Sequence, residues 1–151
     1  MLRSRVFATA AVAAAAAGLA VAPTPAGAAT GSVHLYEIYY NSPGSDTGST
    51  ASLNAEWVKI TNSTSKAVTL TGWTLTDASR HVYTFPTASL AAGRTVAVHT
   101  GKGANTTVNR YQGRAAYVWN NDKDTATLRK SNGATVDTCS YNTTRFAYRW
   151  C

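Results

Sequence analysis

After position 28, turn-forming clusters break this chain at intervals of about 8–12 residues, and no stretch between them carries apolar residues at helical spacing. That restricts the fold to short strands joined by turns. Val33–Tyr40 is β-branched and aromatic and stops at Asn41-Ser42-Pro43-Gly44. Glu56–Asn62 alternates, with Val58 and Ile60 on one side and Trp57, Lys59 and Thr61 on the other. Ala67–Leu70 and Trp73–Leu75 bend at Gly72, where a bulge or a close backbone approach is expected. Val82–Phe85, Thr95–His99, Ala116–Trp119, Thr125–Leu128 and Thr135–Tyr141 complete the strand segments. The last hairpin turns at Asn132-Gly133, a dipeptide suited to two positive φ values. Residues 42–52 read as a mobile loop, and 101–112 as a loop with at most one helical turn. The pattern predicts an all-β sandwich of about 7–9 short strands.

Residues 1–28 do not belong to that pattern. Arg3 and Arg5 precede an Ala-rich apolar run, Val6–Val21, which Pro23-Thr24-Pro25 breaks before Ala26-Gly27-Ala28. This is the layout of a cleavable secretory signal ending after Ala28. The run falls short of the ~20 residues a spanning helix needs, so no membrane insertion is expected once it is removed. The sandwich domain is then residues 29–151. Its Ala-rich signal has a bacterial character.

Charged residues are 14% of the chain, against roughly 25% in an average soluble domain. The polar remainder, mostly Thr, Ser, Asn and Gly, favours strands and turns, which excludes a coiled coil. Without Arg3 and Arg5, the 14 basic residues become 12 against 7 acidic, a surplus of five. That permits contact with polyanions but gives no dense basic patch, since the longest basic run is Arg129-Lys130. The two cysteines, Cys139 and Cys151, are expected to pair in an exported chain, because two thiols alone cannot complete a metal site. Phe146, Tyr148 and Trp150 alternate in the tail, residues 142–151, and suit an added edge strand.

Several segments together resemble the lamin tail domain. They are Glu56–Asn62, Leu70-Thr71-Gly72-Trp73-Thr74-Leu75-Thr76-Asp77, Tyr83–Pro86, Leu90–Gly93 and Val118–Leu128. The likeness runs from about residue 33 to residue 141, and the Gly-Trp-x-Leu-x-Asp and Trp-Asn-Asn pieces carry most of it. It implies an immunoglobulin-like β-sandwich of two sheets and a non-catalytic module, of a kind that in bacteria often accompanies exported hydrolases. Lys59 departs from the family, which often has an acid there, and no heptad rod is present, so filament assembly is not implied.

Catalytic chemistry finds little support. His34, His81 and His99 are the only histidines, and there is no Gly-x-Ser-x-Gly elbow to pair with them. Asn120, Asn121, Asp122 and Asp124 lack the spacing of a calcium loop and read as turn formers. Glu37 and Glu56 lie on apolar strands and suit an ion pair or a cap better than a catalytic pair. Asn62, Asn105 and Asn142 begin glycosylation sequons but read as ordinary polar loops. Trp57, Trp73 and Trp119 are expected in the core with Val58, Ile60, Leu75, Phe85, Val96, Val98 and Leu128, the alternative for the tryptophans being a stacking platform for sugars or bases. Arg110, Tyr111, Arg114 and Tyr117 mix base and aromatic and form the candidate polyanion contact.

The resulting expectation is a secreted, non-catalytic module with no cofactor or metal, binding a protein or cell-wall glycan. An accessory nucleic-acid or wall-polyanion binder is the second reading and a small hydrolase the third.

Overall fold

The computed structural model describes residues 31–151; the expected signal, residues 1–28, lies outside the described residues. The strands are β1 (Val33–Tyr39), β2 (Trp57–Asn62), β3 (Val68–Thr69), β4 (Thr74–Thr76), β5 (Val82–Thr84), β6 (Ser89–Leu90), β7 (Thr95–His99), β8 (Asn109–Tyr111), β9 (Lys123–Arg129), β10 (Thr135–Asn142) and β11 (Tyr148–Trp150). A short helix, α1 (Thr50–Asn54), precedes β2. A five-stranded sheet in the order β11-β1-β2-β7-β8 packs against a four-stranded sheet, β10-β9-β4-β5, and β3 pairs with β6 separately. This is an immunoglobulin-like β-sandwich. The eleven described strands exceed the expected number because several are two or three residues long.

Period-two alternation builds the core between the sheets. Val58 and Ile60 of β2, Val96 and Val98 of β7, Leu75 of β4 and Leu128 of β9 all point inward and are buried, with Trp73, Phe85 and Trp119 around them. Burying a large apolar side chain of this kind contributes about 1.5–3 kcal/mol. Trp57 is the exception and corrects the expectation for it. It is half-buried on the outer face, because a strand that turns Val58 and Ile60 inward must turn Trp57 outward.

The remaining differences arise where backbone partners lie far away in sequence. Ala116–Trp119 is not a strand, since the N–H groups of Val118 and Trp119 donate to the Glu56 carboxylate instead of to a neighbouring strand. The segment 101–112 contains β8, which runs parallel to β7 and has no apolar alternation to announce it. Inside the expected loop 42–52, Ser49 caps α1 by accepting the Ser52 N–H, and Leu53 anchors the helix by burial. The β9–β10 turn is not the double-positive type. Gly133 alone has positive φ, +86°, while its N–H donates to the Lys130 carbonyl and Asn132 accepts the Ala134 N–H. That is a type I turn followed by a left-handed glycine, the other common short hairpin solution. Gly72 has φ +77°, which favours glycine, and a Cβ there would crowd the Ser131 Cβ at 3.1 Å.

Candidate functional site

Cross-strand register assembles one row of rings across the outer face of the five-stranded sheet. Tyr148, Tyr39, Trp57, His99 and Tyr111 sit opposite one another, one from each strand. Successive ring centroids are 6.1, 4.5, 6.1 and 5.0 Å apart. Three of these four contacts are near-parallel stacks, so inner rings cover each other's faces and hold the strands together. Both nitrogens of His99 are engaged, Nδ1 with the Asn54 carbonyl at 2.7 Å and Nε2 with Asn109 Oδ1 at 3.0 Å. Beside the row, Lys59 Nζ pairs with the buried Glu37 carboxylate at 2.5 Å and lies 5.4 Å from the Trp57 ring. Trp57→Ala is therefore expected to cost about 1–2 kcal/mol in urea unfolding, below the about 3–5 kcal/mol of truncating a fully buried Trp.

At the β11 end the rings become accessible. Tyr36, Phe146, Tyr148 and Trp150 are 45, 52, 40 and 53% exposed, large values for neighbouring aromatics on one surface. Trp150 meets Tyr36 and Tyr148 edge to face at 5.2 and 5.6 Å, and the Arg145 guanidinium lies 5.4 Å from the Phe146 ring. β11 is placed here by pairing with β1, by Tyr40 and Asn41 N–H donation to the Ala147 carbonyl, and by the Cys139–Cys151 disulfide. The disulfide closes a ring of chain that contains a cavity of about 430 Å³, lined by Ser140–Thr143, Phe146 and Tyr148–Trp150. The alternation of aromatics in the tail signals the strand; nothing local signals that its rings remain uncovered.

The four residues of the expected polyanion contact each pack or bond within the domain. Tyr111 belongs to the stacked row, while Arg110, its neighbour on β8, lines a crevice beside Phe85 and Leu90. Arg114 Nη2 donates to the Val82 carbonyl at 3.1 Å. The Tyr117 hydroxyl bonds Ser52 Oγ at 2.5 Å and accepts the Gly48 N–H. These side chains tie separate loops together.

Glu56 and Glu37 do not form a carboxylate pair either. Glu56 is fully buried, and its carboxylate accepts from the Thr100 hydroxyl (2.5 Å), the Val118 N–H (3.1 Å) and the Trp119 N–H (2.9 Å). Burial outweighs those three donors and pushes its carboxyl up to about 7. Burial also raises the Tyr141 phenol, whose hydroxyl donates to the Asn120 carbonyl.

Asp124 accepts from the backbone of Ala78, Asn120 and Thr125 and from the Asn120 amide, which is the work of a turn organiser. Asn62 of the first sequon is fully buried and donates to the carbonyls of Lys66, Leu90 and Ala91. The histidine partners are the Ser32 carbonyl for His34, Asp77 for His81, and Asn54 with Asn109 for His99, so none activates a hydroxyl. Among the described residues no group of three or more His, Cys, Asp or Glu is placed to hold a metal ion.

No curated protein matches the chain significantly. The family model described as Lamin Tail Domain matches residues 26–143. Residues 144–151, which carry three of the four exposed aromatics, lie beyond the matched span. Taken with the two-sheet architecture, this match over most of the sequence shows that the chain belongs to the lamin tail domain family of immunoglobulin-like modules.

Proposed function

We propose that this chain is an exported, non-catalytic binding module that acts outside the cell and meets its partner through the exposed aromatics around β11. The observation that carries this reading is the cluster of Tyr36, Phe146, Tyr148 and Trp150, held open to solvent by a disulfide on a tail beyond the family match. Exposed Trp and Tyr beside Arg are the side chains that dominate binding surfaces, since each offers large contact area at little entropic cost. The disulfide suits an oxidising compartment, and among the described residues no helix is long and apolar enough to cross a membrane. Removal of the signal after Ala28 belongs to the same reading.

Two measurements test it. The exported protein is expected to have the mass of residues 29–151 with one disulfide; an intact Met1 contradicts export by cleavage. On isolated bacterial wall sacculi, the parent is expected to sediment with the solid, and Tyr36→Ala/Trp150→Ala to lose at least tenfold in affinity with little change in melting. Equal retention of parent and variant removes the aromatic cluster from the binding surface.

A further inference from the structure

The five-stranded sheet covers one of its edges and leaves the other open. At the β8 edge, Asn105 Oδ1 accepts the Tyr111 N–H, Thr106 Oγ1 accepts the Asn109 N–H, and the Thr106 N–H donates to the Asn109 carbonyl. A loop thus takes up the backbone groups that β8 turns away from β7. β11 has no such cover. The Tyr40 N–H donates to the Ala147 carbonyl and the Cys151 N–H to the Tyr36 carbonyl, so residues 147, 149 and 151 face β1. Alternation turns the N–H and C=O groups of Tyr148 and Trp150 the other way, where they make no hydrogen bond among the described residues.

Tyr148 and Trp150 border the cavity, and the facing wall is of the same kind. The Thr143 N–H donates to the Asp122 carbonyl, so β10 turns the backbone of Ser140 and Asn142 away from β9, and both residues line the cavity. A cleft walled by open strand edges matches an extended peptide, whose backbone carries donors and acceptors at the same spacing. The side chains of an added strand alternate as those of β11 do. Those opposite Tyr148 and Trp150 lie on the outer face beside the exposed rings, and the one opposite Arg149 lies on the cavity side. Residues 138–151 hold two arginines, Arg145 and Arg149, and no acidic residue, so an acid opposite Arg149 is favoured. A second copy of this chain is disfavoured, because antiparallel pairing of Tyr148 with Trp150 sets two Arg149 side chains directly against each other.

We infer that the open edge of β11 takes an extended segment of another protein as an added antiparallel strand, apolar opposite Tyr148 and Trp150 and acidic between them. The inference rests on the aromatic surface proposed above and names its partner as a peptide. Backbone pairing supplies the affinity, and Arg149 with the rings sets the sequence that fits.

The test uses the exported, disulfide-bonded protein and a fluorescent acetylated peptide, Ser-Thr-Val-Glu-Val-Thr-Ser, read by anisotropy and by amide exchange. Two comparison peptides carry Lys in place of Glu, or N-methyl groups on both Val amides. The Glu peptide is expected to bind at least tenfold more tightly than either, with slowed exchange of the Tyr148 and Trp150 amides. Arg149→Glu is expected to reverse the preference between the Glu and Lys peptides, and Lys130→Ala in the β9–β10 turn to leave it unchanged. Both side chains are exposed, so unchanged melting of each variant confirms folding. Equal binding of the N-methylated peptide overturns strand pairing, equal binding of the Lys peptide overturns the acidic partner, and absence of binding at millimolar peptide overturns the whole inference. A concentration-dependent dimer with protected β11 amides gives the edge to a second copy and overturns it as well. Wall sacculi separate this inference from the reading beneath it. Retention that needs Trp150 and survives protease digestion of the sacculi puts the partner in the glycan, which sinks the peptide inference and leaves the aromatic surface standing. Failure of Tyr36→Ala/Trp150→Ala to alter either sacculus retention or peptide binding ends both.

Discussion

Glu56→Ala is expected to destabilise the domain by about 3–5 kcal/mol in urea unfolding at pH 5, because it strands buried donors. The Val118 and Trp119 N–H groups lose their acceptor inside the protein, and the Thr100 hydroxyl loses its partner at the end of β7. Each unpartnered buried donor costs about 1–3 kcal/mol, with Thr100 the cheapest because its hydroxyl can rotate. Those donors hold segment 116–119 over the core, so Trp119 is expected to lose its fixed environment too.

The same residue sets a pH dependence of unusual sign for a carboxylate. Its folded value of about 7 lies above the 4.5 of an exposed Glu, so between these values the native state keeps a proton that the unfolded chain has released. The stabilisation is complete below pH 4.5 and is lost as pH rises through 7, on the order of 3 kcal/mol in total. The difference in stability between parent and Glu56→Ala should therefore shrink from pH 5 to pH 8. Glu56→Gln keeps an acceptor but turns an amide against one donor; it should show an intermediate loss that is flat across this window. A parent–alanine difference that does not change with pH would contradict the buried-carboxyl account.

Removing the disulfide is the second large effect. Cys139→Ser/Cys151→Ser opens a covalent loop with a sequence separation of 12, which is expected to cost about 3 kcal/mol through the unfolded chain. For a domain of this size that is a fall in Tm of roughly 10 °C. The loss should be local as well as global. β11 pairs with β1 over only three residues, so the β1 amides that face it should exchange faster in the variant, while the β2–β7 ladder stays protected up to global unfolding. Unchanged Tm and unchanged β1 protection would show that backbone pairing and the rings alone secure the tail.

Much of the sandwich is written locally. The alternation of Val58 with Ile60 and of Val96 with Val98 specifies which face of β2 and β7 is buried, since side chains on a strand repeat every two residues. That alternation also places Trp57 opposite Val58; judging the tryptophan by size alone puts it in the core, and the backbone period overrides size. Turn chemistry places the β9–β10 reversal at Asn132-Gly133, though the hydrogen bonds around it select the turn type. The paired cysteines and alternating tail aromatics likewise point to a tied edge strand from sequence alone.

What the tertiary structure decided is everything that depends on partners distant in the chain. Ala116–Trp119 reads as a strand, yet a single buried carboxylate, Glu56 just before β2, takes the N–H groups of Val118 and Trp119. Arg110, Tyr111, Arg114 and Tyr117 are close in sequence, but strand alternation and loop contacts send them to different neighbours. Tyr36 and Trp150, near opposite ends of the domain, meet because β11 folds back onto β1. Local preferences choose strands and turns residue by residue, whereas register, which arises between segments, determines which rings stay uncovered.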